Sequence, residues 1–184
     1  MIDEGGAARP MNVAGGGARL DGAPLAVSPD GVAVVEARSD AARLEGIAIR
    51  LEVFVVEQSV PLVLEIDARD QDPSVEHLLA VKDGRSLGTV RLIPDGEGRW
   101  HLGRLAVRAE ARGLKVGALL VEALHSLVAS RTPAGQDALV LLDAQVRAKG
   151  FYERQGYVET TGEVFDDAGI AHVEMGRSVA GRVR

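Results

Sequence analysis

Cysteine is missing from all 184 residues, which excludes disulfides, thiolate metal sites and a cysteine nucleophile and makes a reducing cytoplasm the expected compartment. Aromatic side chains are scarce, with three Phe, two Tyr and one Trp, so either tyrosine is conspicuous wherever it falls in a motif. Lysine is nearly absent as well: of 21 basic residues only Lys82, Lys115 and Lys149 are lysines and the other 18 are arginines, a skew that codon bias explains more simply than phosphate binding does. No apolar run approaches the ~18 residues of a spanning helix, and the start, Met1-Ile2-Asp3-Glu4, has neither the basic nor the apolar part of a secretion signal. Positive charge is also short. Twenty-one basic against 27 acidic residues give −6, which argues against nucleic acid and anionic membrane as partners. The four histidines, His77, His101, His125 and His172, are scattered without ligand spacing, so no metal is expected.

Apolar residues make up 46% of the chain, enough for one sizeable core in a chain of single-domain length. Residues 1 to about 30 carry Gly5-Gly6, Gly15-Gly16-Gly17, Gly22 and three prolines with little apolar periodicity, and read as a flexible leader; residues 31–184 read as the single domain. Val32 to Val35 predicts a short strand. Ser39-Asp40 predicts a helix N-cap, and Leu44, Ile47, Leu51 and Phe54 recur at helical spacing in a helix ending near Val55. After Pro61 comes a loop rich in acids. His77 to Lys82, Asp83-Gly84 and Ser86 to Ile93 read as a hairpin, and Trp100 to Val107 as a third antiparallel strand. Leu119, Leu120, Ala123, Leu124, Leu127 and Val128 share one face of the clearest helix, which starts near Val116. Ala138 to Leu142 reads as a buried strand, Val146 to Gln155 as a helix, and Tyr157 to Thr160 and Ile170 to Ser178 as closing strands. The order predicts an α/β domain with a mixed sheet and helices on both faces.

One junction carries chemistry. His101 to Val107 runs as a strand into Arg108-Ala109-Glu110-Ala111-Arg112-Gly113-Leu114-Lys115-Val116-Gly117 and at once into the strong helix. A glycine-bearing loop that opens into a helix N-terminus aims unpaired N–H groups and the positive dipole end at one point, which suits a phosphate or pyrophosphate. Residues 99–115 hold Arg99, Arg104, Arg108, Arg112 and Lys115 against Glu110 alone, in a chain that is net acidic. The spacing is neither that of a nucleoside-triphosphate loop nor that of a dinucleotide fold. A tight turn among solvated arginines is the bland alternative.

Arg112-Gly113-Leu114-Lys115-Val116-Gly117, following Leu105-Ala106-Val107, resembles the acetyl-CoA loop Q/R-x-x-G-x-G/A of the GNAT superfamily of N-acetyltransferases. Residues Gln145 to Tyr157, QVRAKGFYERQGY, resemble that family's N-x-x-A-x-x-F-Y-x-x-x-G-F/Y, with Gln145 where Asn is common. Together with Arg50 to Gln58 and Gly169 to Met175, these motifs are similar to the ElaA-like branch over roughly residues 40–178. The resemblance implies the GNAT acyl-CoA N-acyltransferase fold, a central, mostly antiparallel sheet flanked by helices, and transfer of an acetyl group from the cosubstrate acetyl-CoA to a primary amine. It implies that Leu105, Ala106 and Val107 offer backbone groups to the pantetheine arm and that Arg112, Gly113, Leu114, Lys115, Val116 and Gly117 take the pyrophosphate. Gln145 and Tyr152 occupy motif positions, and the Tyr152 hydroxyl falls where the family's tyrosine acts as acid toward the thioester sulfur. Lys115 departs from the pattern, standing where most of the family has its middle glycine. An ammonium beside two phosphates is electrostatically favourable there.

The chemistry sets its own requirements. Passing a proton from a tyrosine of pKa ~10 to a thiolate of pKa ~8.5 is uphill by about 2 kcal/mol, so a hydrogen bond to the thiolate serves as well as full transfer. An acceptor amine of pKa ~10.4 costs about 4–5 kcal/mol to deprotonate at pH 7 unless a base or a desolvated pocket helps. Glu57, directly or through water, and His172 are the candidate bases, each with a structural role as its alternative. His77 opens a strand beside the acidic loop and is a candidate lining residue of the acceptor site, whereas His101 and His125 read as ordinary strand and helix residues. Residues 57–76 carry Glu57, Glu65, Asp67, Asp70, Asp72 and Glu76 against Arg69 alone, a field that would draw a cationic small-molecule or peptide amine if the loop borders the acceptor entrance. A non-catalytic acyl-CoA-binding module is the main rival reading, and a homodimer through edge strands is compatible with the pattern.

Overall fold

The computed structural model describes residues 23–182. One eight-stranded sheet organises them, in the order β1-β2-β3-β4-β5-β6-β8-β7. Its strands are β1 (Ala26–Val27), β2 (Ala33–Glu36), β3 (Glu76–Lys82), β4 (Arg85–Pro94), β5 (Arg99–Val107), β6 (Asp137–Gln145), β7 (Val158–Asp167) and β8 (Ile170–Ala180). Every neighbouring pair is antiparallel except β5 and β6. The β3–β4 turn falls on Asp83 and Gly84, both at positive φ, as a tight two-residue hairpin requires. Residues 1–22 of the expected leader lie outside the described residues. Of its last residues, Ala26–Val27 pair with β2, so ordered structure begins before residue 31.

Helices cover both faces. On one side α3 (Val116–Arg131) packs through Leu120, Leu124, Leu127 and Val128 against Leu78, Val90, Leu92, Val140, Leu142 and Met175. A side chain at Gly88 of β4 would meet Val116 and Leu120 at 3.1 Å, so this glycine lets the first turn of α3 lie close against the sheet. On the other side α1 (Asp40–Arg50), capped by Ser39 as expected, packs through Ala42 and Ile49, with Val53 just beyond its end, against Val35, Leu79, Val81 and Ala106. The buried face of α1 differs from the expected stripe. Leu44 is 63% exposed, whereas Ala42 and Gly46 are buried, because small residues allow the closest approach to the sheet. Nor does the helix stop at Val55. It continues as a π-helical segment over Leu51–Glu57, a register that apolar spacing does not reveal and that turns up often at functional sites.

The acidic loop is also more ordered than its composition predicts. It holds the short helix α2 (Leu62–Glu65) and a 3-10 turn at Ala68–Asp70. Arg50, only 2% exposed, donates from Nε to Glu65 Oε1 at 2.5 Å and bonds Asp70, while Arg91 grips Asp67 with two bonds of 2.9 Å. Burial opposes ionisation of Asp70, but the Arg50 guanidinium outweighs it and holds the carboxyl below the usual carboxylate range. Glu57 pairs with Arg112, Glu76 with Arg131, and Asp72 accepts from Ser74. A steering field from this loop is therefore largely neutralised.

The last helix, α4 (Lys149–Arg154), follows a 3-10 turn at Val146–Ala148, and β7 runs to Asp167 rather than stopping at Thr160. No helix among the described residues is long and apolar enough to cross a membrane.

Two predictions follow from the buried polar groups. Arg50→Met removes the guanidinium that Glu65 and Asp70 share, leaving these buried carboxylates only Arg104 and Arg91, and thermal unfolding is expected to show a loss of about 3–5 kcal/mol. Burial lowers His77 to about 4, and burial with the Arg177 charge lowers His125 to about 4. An imidazole with a lowered folded pKa binds fewer protons folded than unfolded, so its contribution is complete above pH ~6.5 and is lost as pH falls toward about 4. In that window His77→Leu and His125→Gln should each flatten the slope of melting temperature against pH. An unchanged slope in both variants contradicts the assignment.

Candidate functional site

Strands β5 and β6 pair only from Arg99 with Leu139 to His101 with Leu141, yet β5 continues to Val107 and β6 to Gln145. Beyond that point they part. A bulge in β5 between the pairs Arg91 with Gly103 and Thr89 with Ala106, with Arg104 at φ 55, bends the strand there. The gap is a cleft of about 610 Å³. Phe54, Gln58, Val60, Leu64, Phe151 and Tyr152 line it, together with Asp167 and Ala168 at the β7–β8 turn.

Arg112 and Gly117, on either side of the start of α3, also line the cleft. The N-cap of α3, Lys115, adopts a left-handed conformation, φ 58 and ψ 18, and no side chain caps the helix. The first amides of a 16-residue helix are thus left for a ligand. Gly113 is also left-handed, at φ 89, with nothing within 4 Å of where a Cβ would stand. The left-handed backbone gives a physical reason for a glycine at the position of Lys115: a side chain there costs roughly 1–2 kcal/mol. Of the cations counted in 99–115, Arg99 stands near Asp95, Arg104 near Glu65, Arg108 on Glu52 and Arg112 on Glu57. Lys115 has no ion-pair partner among the described residues.

The expected site residues divide by location. Leu105, Val107, Arg112, Gly117, Gln145, Tyr152 and His172 line the cleft. Ala106 points into the core beneath α1 and its backbone pairs with Thr89, while the Val116 side chain is buried under α3, so both are limited to backbone roles. Leu114 is 48% exposed and lies outside the lining. Glu57 stands at the mouth, bound to Arg112, which also donates from Nε to Val107 O at 3.1 Å. His77 lies away from the cleft, buried beside Arg43 with its Nε2 unpartnered. His125, as a core residue, bonds the Tyr157 hydroxyl at 2.8 Å.

Two lining residues carry no signal in the sequence. Gln58 accepts from Gln145 Nε2 at 2.9 Å across the cleft, and His101 faces Asp143, Nε2 to Oδ2 3.7 Å. The first depends on the π-helical register and the second on strands 42 residues apart. Burial pushes the Tyr152 phenol above its ordinary range, so it is a weaker acid than free tyrosine and better suited to donate a hydrogen bond than to give up its proton. Its hydroxyl bonds no other described residue.

The family description "Acetyltransferase (GNAT) domain" fits residues 31–179. The chain belongs to the GNAT acetyltransferase family. Its fold is the GNAT fold and its activity that of an acyltransferase. The uncharacterized N-acetyltransferase YjcF of Bacillus subtilis is 35% identical over 134 residues, 69% of this chain and 86% of that protein. The crystal structure of Escherichia coli ElaA superposes with a TM-score of 0.70 at 28% identity, covering 79% of this chain and 99% of that one. An aminoglycoside 6'-N-acetyltransferase complexed with coenzyme A has the same fold, with a TM-score of 0.60 at 17% identity over 82% of this chain and 99% of that one.

For this GNAT enzyme the left-handed cap makes a two-sided prediction. Lys115→Gly should raise stability by up to about 1 kcal/mol by relieving the backbone and weaken coenzyme A binding several-fold by removing the free cation. Calorimetry at two salt concentrations checks it: the wild type should lose more affinity on adding salt than the variant.

Proposed function

We propose that this GNAT enzyme moves an acetyl group from acetyl-CoA to a primary amine by direct transfer. The observation that carries the reading is the uncapped, left-handed mouth of α3 opening into the same cleft that Tyr152 lines. The amides after Lys115, with Lys115 and Arg112, hold the pyrophosphate. Parted β5 offers Leu105 and Val107 to the pantetheine arm. The coenzyme A bound by the aminoglycoside acetyltransferase of the same fold supports this cosubstrate.

The amine nitrogen attacks the thioester carbonyl, the C–N bond forms, and the C–S bond breaks as the intermediate collapses. The departing sulfur accepts a hydrogen bond from the Tyr152 hydroxyl. Arg112 holds Glu57 in an ion pair, which suits a clamp on the cofactor arginine and leaves the carboxylate less available as base. His172 is 8% exposed, with Nδ1 2.8 Å from Ile170 O and its ring stacked on Phe165. With the 57–76 loop neutralised, any preference for a cationic amine rests on Asp143 and Asp167, which line the cleft.

Calorimetry with coenzyme A and thiol release from acetyl-CoA across an amine panel test the reading. Tyr152→Phe should bind coenzyme A within about twofold of wild type and lose about 10- to 100-fold in kcat. Absence of coenzyme A binding overturns the reading, and binding without thiol release on any amine replaces it with a cofactor-binding module.

A further inference from the structure

We propose that His101, with Asp143 behind it, takes the proton from the acceptor amine, an inference that rests on the acetyl-transfer reading. The parallel register decides the meeting. His101 pairs with Leu141 at the last rung before β5 and β6 part, and Asp143, two residues on, projects from the same face of β6 as Leu141. Imidazole Nε2 and carboxylate Oδ2 come within 3.7 Å, both line the cleft, and their side chains are 35% and 42% exposed. A substrate entering the cleft reaches them. The carboxylate favours the tautomer with its proton on Nε2, which leaves the Nδ1 lone pair for the amine.

Most other ionisable groups of the cleft have partners. Glu65 of α2 lies between Arg50 and Arg104, Arg112 holds Glu57, and Arg147 bonds Gln145. His172 keeps Nδ1 on Ile170 O with its ring stacked on Phe165 and is 8% exposed, and Asp167 ends β7 at the β7–β8 turn. Of the two imidazoles that line the cleft, His101, with its side chain 35% exposed, is the more open to a substrate.

The ammonium loses two protons. One passes to His101 Nδ1 before attack and on to solvent; the second leaves for water as the tetrahedral intermediate collapses. The sulfur, held by the Tyr152 hydrogen bond, gains one proton from solvent, so the transfer releases one proton in all. His101 touches the reacting amine, while Asp143 is a positioning residue.

The test measures thiol release from acetyl-CoA with n-butylamine, spermidine and a lysine-containing peptide between pH 5.5 and 9.5, with coenzyme A calorimetry on every variant as the check of folding. His101→Ala should bind coenzyme A like wild type, lose about 100-fold in kcat/KM for the amine, lose the rising limb of the pH profile, and regain part of its rate with added imidazole. Asp143→Asn should lose about tenfold with the limb retained, and Asp143→Glu should recover part of that. His172→Gln should keep the limb whatever it does to the rate. A wild type that turns over while His101→Ala keeps both rate and limb overturns this assignment and leaves the acetyl-transfer reading intact. A wild type that binds coenzyme A and releases no thiol with any of the three amines overturns both.

Discussion

Three backbone pairs join β5 to β6, and everything the molecule offers a ligand depends on there being no fourth. A parallel pair with full-length strands would present a closed surface. Here the extra residue near Arg104 shifts the ladder to β4 and turns β5 away, so Leu105 and Val107 have no partner on β6 and Val107 O accepts from Arg112 Nε instead. The side chain of Arg104 spans the opening, donating to Leu64 O at 2.9 Å and standing 3.1 Å from Glu65 without hydrogen-bond alignment. The residue that breaks the sheet thus also anchors the segment that walls the cleft.

Burial on the two faces of the sheet serves different ends. Beneath α3 the contacts are almost wholly apolar and fix the height and direction of the helix whose N-terminus no side chain caps. On the α1 side a smaller apolar patch is joined by Arg50, Arg91, Glu65 and Asp70, all 2% exposed. Buried ion pairs are poor sources of net stability, because desolvation offsets most of the attraction. Their directionality holds the α2 segment in one place, which helices as short as α2 cannot achieve by themselves.

Charge in the chain is therefore a poor guide to charge in the cleft. The acidic run 57–76 reads as a field for cations and turns out to be a set of partners for Arg50, Arg91, Arg104, Arg112 and Arg131. The basic run 99–115 contracts in the same way to Lys115. What remains for a substrate is a few groups whose partners are near neither in sequence nor by any periodicity, among them His101 with Asp143 and Gln58 with Gln145.

Local pattern alone determined most of the strands, the Ser39 cap, the β3–β4 turn, the α3 helix and the two motif segments that carry the family, because each depends on residues a few positions apart. The buried face of α1, its π-helical end, the pairing of Ala26–Val27, the length of β7 and the membership of the cleft were decided only in three dimensions. The physical reason is range. Helical and strand periods, caps and tight turns are set by neighbours along the chain, whereas ion pairing and the register of parallel strands join residues tens of positions apart and choose among contacts that composition leaves equal. So the motif segments that carry the family were readable as a string, and the set of side chains lining the cleft required the sheet to be assembled first.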